Sequence, residues 1–274
     1  MQTDISVQTT DLAERYHRDG FAHPLDIISP AEAKVLRDDL EAAESELFED
    51  NEKLTLLRSY PDRLLPSFDA IIRHKKLIEA VSQLLGPDLM VWSAALFIKE
   101  ANSPHIVSWH QDLTYWGLDD AEETTCWLAL SEASEQSGCM RFVPGSHKTQ
   151  IVEHIDTFAA DNLLSRGQEI AVEVNESDAV PVALLPGQSS MHHGQLFHAS
   201  GPNTSDDRRI GMAIRYIKPS MRQNTGEKPL VALVSGEDRY SHFTIADSPS
   251  SRLSSADFEL CRTDWALKQR LLYR

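Results

Sequence analysis

Cysteine is scarce in this 274-residue sequence: Cys126, Cys139 and Cys261 are odd in number and form no close-spaced pair. A disulfide framework and a thiolate zinc site are therefore not indicated. The apolar neighbours of each thiol raise its pKa and argue against a nucleophile, and Cys126 and Cys139 are expected to be buried. Basic residues are also few, 26 Lys and Arg against 42 Asp and Glu, for a formal charge of -16. Such a chain repels phosphate backbones and anionic lipid surfaces at long range, so neither nucleic acid nor membrane is an expected partner. No apolar run approaches the roughly 20 residues that span a bilayer. The opening MQTDISVQTTDLAERYHRDG lacks an apolar signal core, so a cytoplasmic location is the default expectation. No internal repeat, low-complexity segment or sign of a protein partner is found.

What is present is enough to bury a full core. The length fits one domain spanning 1–274, with a mostly helical part over 1–88, a β-rich core over 89–217 and a C-terminal loop and helix over 218–274. Ser29-Pro30-Ala31-Glu32 reads as an N-cap with proline in the first turn, followed by a helix through AEAKVLRDDLEAAESELFED. A second helix covers HKKLIEAVSQLLG and stops at Gly86-Pro87, and Leu54 to Ser67 between them reads as a less regular cover. From residue 89 the texture changes to short β-rich runs: LMVWSAALFIKE, IVSWHQDLTYW, TTCWLALSEA, GCMRFVPGSH, AVPVALL, SSMHHGQLFHAS and RIGMAIRYI. Turns are marked at Pro144-Gly145-Ser146, Pro186-Gly187 and Gly201-Pro202-Asn203. Such strands without long intervening helices predict a sandwich or jelly roll. The tail begins with a loop at PSMRQNTGEKP and ends in a helical stretch near SADFELCRTDWALKQRLLYR.

His110 and Asp112 lie two apart in a run that reads as a strand, so both side chains are expected on one face, able to bind one metal together. A His-x-Asp tripeptide says little alone, since a histidine hydrogen-bonded within a sheet looks the same. The downstream HHGQLFHASGPNTSDDRRIGMAIRYI adds histidine on another strand, a turn, and arginine opening the next strand. Two histidines and a carboxylate occupy one face of an octahedron and leave positions open for a co-substrate and oxygen.

The segments WHQDLTYW, SGCMRFVPGSH and HASGPNTSDDRRIGMAIRYI resemble the phytanoyl-CoA dioxygenase family, a branch of the iron- and 2-oxoglutarate-dependent oxygenases. The resemblance runs from about residue 89 to 217, with a weaker match at RYHRDGFAHP. It implies a mainly β fold with flanking helices, a cupin-like double-stranded β-helix. It also implies Fe(II), 2-oxoglutarate and O2 as reactants, and a small-molecule substrate hydroxylated at an unactivated C–H bond with release of succinate and CO2. By this resemblance the iron ligands are His110, Asp112 and His198, and the co-substrate's distal carboxylate is held by Arg209, eleven residues beyond the last ligand. Ser200 matches a hydroxyl that contacts the same carboxylate, and Trp127 falls where a tryptophan often lies beside the co-substrate.

Alternatives stand beside these assignments. His192 and His193 lie six and five before His198 and either can compete as third ligand; His192 shares the strand parity of His198, and His193 is expected to face outward. Arg208 competes with Arg209, although the strand alternation and the spacing of eleven favour Arg209. His147 and His105 read as loop residues. Trp109, Tyr115 and Trp116 read as sheet packing, with one ring available to wall a substrate pocket. Arg215 shares the parity of Arg209 with Gly211 and Ala213 between them, so it is expected to point inward, paired either with a protein carboxylate or with an acidic substrate. A halogenase, in which a small residue replaces the carboxylate ligand, is opposed by Asp112. A metal-binding jelly roll serving as isomerase or sensor is opposed by Arg209 and Ser200, for which it has no use.

Overall fold

Capping chemistry sets where the N-terminal helices start. In the computed structural model, which describes residues 5–159, 161–164 and 166–272, α1 (Ile5–Asp19) and β1 (Phe21–Asp26) precede α2 (Pro30–Glu46). The Ser29 hydroxyl accepts the Glu32 amide at 3.2 Å while the Glu32 carboxylate accepts the Ser29 amide at 2.7 Å. This reciprocal box, with Pro30 in the first turn, makes the predicted start. Then come α3 (Asn51–Ser59), α4 (Pro61–Leu64), α5 (Pro66–Ile72) and α6 (Lys75–Leu85). The expected irregular cover over Leu54 to Ser67 is thus corrected to three short helices. Pro61 and Pro66 each open a new helix because proline has no amide to continue the previous one. Leu56, Leu57, Leu64 and Leu65 are buried, so the segment is a packed wall. Helix α6 stops at Gly86, which adopts φ 90°.

The strands are β2 (Leu89–Lys99), β3 (Val107–His110), β4 (Glu123–Ala129), β5 (Met140–Phe142), β6 (His154–Asp156), β7 (Gln168–Ile170), β8 (Val180–Val182), β9 (Gln188–His192), β10 (His198–Ser200), β11 (Arg209–Ile217), β12 (Leu230–Ser235) and β13 (Thr244–Ile245), before α7 (Ser255–Leu272). The expected helix at the chain's end is α7, and residues 273–274 lie outside those described, as do 1–4 of the opening stretch. One sheet runs β1-β9-β4-β11-β2-β12-β13 and a second runs β3-β10-β5-β8, with β6 and β7 as a separate ribbon. Pairing is antiparallel except between β12 and β13. These are the two faces of a jelly roll. Helix α1 and strands β1 and β12 had no counterpart in the sequence reading, β12 lying between the expected loop and the expected helix of the tail.

Strand β11 divides its side chains between two cores. Ile210, Met212, Ile214 and Tyr216 pack with Leu40, Leu64, Phe68 and Ile72 of the helical part, and the Tyr216 hydroxyl donates to the Ile72 carbonyl at 2.9 Å. Arg209, Gly211, Ala213 and Arg215 take the opposite face, toward the second sheet, where Ala213 joins Trp127, Met140 and Phe142. Cys126, Cys139 and Cys261 are all buried. Among the described residues no helix is long and apolar enough to cross a membrane.

Helix α7 is fastened through Asp264, whose carboxylate accepts the Tyr60 hydroxyl at 2.9 Å and the Leu230 amide at 2.7 Å and pairs with Lys268 at 2.8 Å. Asp264→Ala leaves the Leu230 amide without its acceptor and the Lys268 ammonium without its carboxylate, with only the Trp92 carbonyl at 3.2 Å to accept from it, and is expected to lower the unfolding free energy by about 3–5 kcal/mol. Urea denaturation followed by circular dichroism checks this; a loss well below that range would mean water replaces the carboxylate.

Candidate functional site

Two adjacent antiparallel strands of the smaller sheet bring the first pair of residues together. His110 ends β3 and His198 begins β10, in direct register, with ring centroids 4.0 Å apart. Each ring is oriented from behind: His110 Nδ1 lies 2.9 Å from the Ser108 carbonyl and His198 Nδ1 2.9 Å from the Leu196 carbonyl. Both Nε2 atoms then face Asp112 Oδ1, at 3.3 Å and 3.8 Å. One ligand atom from each of the three residues falls within 4.8 Å of the other two. Carbonyl-oriented imidazoles beside a carboxylate are the donor set that divalent transition metals favour.

The expected shared strand face for His110 and Asp112 is not the reason they meet. The strand stops at His110, and Asp112 opens a 3₁₀ turn over Asp112–Thr114. The Leu113 amide donates to the Gly194 carbonyl at 3.1 Å, tying this turn to the loop before His198.

The larger sheet supplies the surroundings of Asp112 from one row. Phe21, His192, Thr125, Arg215 and Ser93 are register partners in succession across β1, β9, β4, β11 and β2. From this row Thr125 Oγ1 donates to Asp112 Oδ2 at 3.3 Å, with Arg215 Nε at 3.8 Å and His192 Nε2 at 3.9 Å. One carboxylate oxygen thus faces the two imidazoles and the other faces three donors. Burial would raise the Asp112 carboxyl, but its hydrogen bond to His110 and the charges of Arg215, His198 and His110 hold it well below the usual carboxylate range. Burial, with His110 and His192 nearby, pushes the His198 imidazole well down, which keeps it neutral as a metal ligand must be. His192 is pushed down to about 4, mainly by burial. It lies beside the cluster rather than in it, and neither of its ring nitrogens has a partner among the described residues.

Further along the same inward faces lie two buried basic side chains. Arg209, 1% exposed, donates from Nη1 to the Gly138 carbonyl at 3.0 Å and has no carboxylate partner among the described residues. Its register partner Lys99 is fully buried and donates to Ser200 Oγ at 2.7 Å and to the Ser200 and Gly201 carbonyls. Burial, with Arg209 alongside, pushes the Lys99 amine down to about 6, and burial pushes Arg209 down to about 10. Trp127 lies against the Arg209 guanidinium at 5.2 Å. Arg209, Ser200, Trp127, His110, Asp112, His198, His192 and Arg215 line one cavity.

The competing residues fall elsewhere. Arg208 faces the helices and is held by Glu41, Glu44 and Glu100 at 2.8–3.2 Å. His193 is half-buried against His147 and Tyr16, so its expected outward orientation is corrected; the loop packs on α1. His105 bonds Ser103 at 2.7 Å. Trp109 donates to Glu176 at 2.8 Å on the outer side, whereas Tyr115 and Trp116 wall a cleft that opens on His110 and Asp112. Lys99 and Thr125 were missed by sequence reasoning. The one signal for Lys99 was a lone lysine closing the apolar run LMVWSAALFIK opposite the arginine that opens β11.

The phytanoyl-CoA dioxygenase family profile matches residues 16–211. A probable alpha-ketoglutarate-dependent hypophosphite dioxygenase of Stutzerimonas stutzeri is 27% identical over 159 residues, covering 57% of this chain and 54% of that protein. The chain thus matches about half the length of that relative. An L-proline trans-4-hydroxylase of Streptomyces griseoviridis is 24% identical, over 77% of this chain and 87% of its own. Among solved structures, the non-heme monooxygenase ThoJ in its apo form is similar with a TM-score of 0.86 and 33% identity, over 96% of this chain and 97% of its own.

Gly211 is the small residue on which Trp127 rests, and a Cβ there would fall within the indole ring. Gly211→Ala is expected to push Trp127 off Arg209 and to destabilise the fold by about 1–3 kcal/mol, as overpacking does. Near-ultraviolet circular dichroism with a melting curve checks both effects; an unchanged aromatic spectrum would contradict the packing described.

Proposed function

The chain belongs to the phytanoyl-CoA dioxygenase family, and from that premise we propose that it is an iron(II)- and 2-oxoglutarate-dependent dioxygenase that hydroxylates an unactivated C–H bond of a small organic substrate. The observation that carries this reading is Arg209, a buried guanidinium without a carboxylate among the described residues, sharing a cavity with a His/Asp/His cluster. A cation in that position calls for an anion from outside the protein. The distal carboxylate of 2-oxoglutarate matches its planar fork.

His110 Nε2, His198 Nε2 and Asp112 Oδ1 would hold the metal, and the row Thr125, Arg215 and His192 would keep the outer oxygen of Asp112 turned away from it. Arg209 would hold the co-substrate, with Ser200 and Lys99 beside it and Trp127 keeping water from the guanidinium. Bound iron(II) with 2-oxoglutarate and O2 supplies the oxidation, the co-substrate leaving as succinate and carbon dioxide. The protein's own contribution is orientation and exclusion of water. A metal-binding jelly roll without a co-substrate leaves Arg209 unexplained, and Asp112 stands where a halogenase needs a small residue.

Anaerobic reconstitution with iron(II) and 2-oxoglutarate tests the reading directly. The expected result is a weak visible charge-transfer band, with 2-oxoglutarate affinity falling by orders of magnitude in Arg209→Ala, since breaking a buried charge pair costs about 3–5 kcal/mol. Arg208→Ala, in an outward ion-pair cluster, leaves the affinity near wild type. No band with iron bound would sink the oxygenase reading, and a reversed arginine pattern would move the contact by one residue.

Lys99 adds a pH signature. At pH 7 its amine, with a pKa of about 6, is largely neutral before an anion binds. An anion bound nearby favours the ammonium, so 2-oxoglutarate binding at pH 7 takes up a proton. Affinity should therefore tighten as pH falls toward 6 and gain nothing more from this group below it. Calorimetry in buffers of different ionisation enthalpy reads the uptake, which should vanish in Lys99→Met; persistence there would assign the proton to another group.

A further inference from the structure

We propose that the substrate carries a carboxylate and that Arg215 receives it, an inference that rests on the oxygenase reading and names the substrate class for the same site. Arg215 and Phe97 line both the inner cavity and the cleft that opens on His110 and Asp112. Among the described residues, the cationic side chains lining that cleft are Arg58, Lys268 and Arg215, apart from the histidine at the cluster, and the sole carboxylate is Asp112. Arg58 has Glu44 at 2.7 Å and Lys268 has Asp264 at 2.8 Å. Among the described residues Arg215 has one ion pair, Asp112 at 3.8 Å, too far for a hydrogen bond, while buried Glu123, whose carboxyl burial holds well above the usual range, acts on it from beyond ion-pair distance. The other oxygen of Asp112 is turned to two imidazoles, and the Asp112 charge is committed once a dication sits there. Arg215 then remains, among the described residues, a cation without a hydrogen-bonded carboxylate, 11% exposed, at the mouth of the reaction site.

The unfilled hydrogen-bonding groups point the same way. Arg215 Nε has no partner, its Nη1 reaches Ser93 Oγ only at 3.4 Å, and Trp92 Nε1 in the same cleft wall also has none. The buried side-chain atoms left unpartnered in the cleft lining are donors, so the ligand has to bring acceptor oxygens. The guanidinium lies over the rings of Phe97 at 5.8 Å and Trp116 at 5.3 Å, and Trp116 stacks on Trp92 at 4.9 Å. Ring contacts leave the donors of the fork's edge free, and that edge receives a carboxylate bidentately. The remaining wall, with Tyr60, Tyr115 and Trp265, suits a flat or apolar body behind that acid group.

Phenylacetate and phenylacetamide, equal in shape and different in charge, probe this on the full chain loaded with zinc(II), which holds off oxidation. Titration by calorimetry and ligand-observed NMR should find the acid bound about tenfold or more tightly, the range of a hydrogen bond to a charged group. The preference should survive in Arg209→Gln and disappear in Arg215→Gln. Equal binding of acid and amide to the wild-type protein overturns the proposal whether or not a variant folds. So does a preference that persists in Arg215→Gln, which would mean the acid sits on the metal, or one lost in Arg209→Gln, which would mean it sits in the co-substrate pocket. No 2-oxoglutarate is present in these titrations, so their outcome is separate from the charge-transfer band on which the oxygenase reading stands or falls.

Discussion

The register of β11 is the constraint on which the rest depends. Side chains alternate along a strand, so a slip of one residue would exchange Arg209 for Arg208 and Arg215 for Ile214 at the cavity. Two sets of contacts oppose the slip from the helical side. Ile210, Met212, Ile214 and Tyr216 fill the core under α2, α4 and α5, where a guanidinium would have no partner. Glu41 and Glu44 of α2, with Glu100, hold Arg208 on the outside. The carboxylates of a helix that never reaches the cavity thus decide which arginine enters it.

The legible parts of the sequence were those where one residue type has one use. His110, Asp112 and His198 converge as the motif implied, and the parity of RIGMAIRYI placed Arg209 and Arg215 inward. Strand alternation was nevertheless the wrong argument for Asp112, which reaches the cluster from a 3₁₀ turn. A two-residue spacing looks the same in both geometries. Residues 51–72 were harder because their short helices gain stability from tertiary packing of Leu57, Leu64 and Leu65 rather than from a long periodic pattern. Lys99 was easy to pass over for a related reason: a lysine ending a strand ordinarily reaches solvent, and it is the pairing of β2 with β11 and the turn after Ser200 that enclose it.

Net charge and local charge diverge in this molecule. The chain as a whole carries -16, yet Lys99, Arg209 and Arg215 all point into the space between the sheets. The negative surface acts over distance, where salt screens it, while the buried basic groups act at contact through a low dielectric. Composition therefore speaks to bulky polyanions approaching from outside and says little about a small dianion once inside. Acidic residues on the helices and loops hold the outward basic residues in place, leaving these three turned inward.

The site is also the polar seam between the two sheets. His110 and His198 belong to the smaller sheet, and Thr125, Arg215 and His192 to the larger, with Asp112 between them on a turn. Of these three row residues Thr125 alone is within hydrogen-bonding reach of the outer Asp112 oxygen; Arg215 and His192 stand at 3.8 Å and 3.9 Å. At that distance neither is locked to the carboxylate, and each retains donor capacity for another partner. An acid group drawn to Arg215 would compete with Asp112 for the same guanidinium, so its arrival would be felt at the metal's carboxylate ligand through one shared side chain. Substrate charge and ligand geometry are then coupled within a single row of the sheet, without any movement of the backbone.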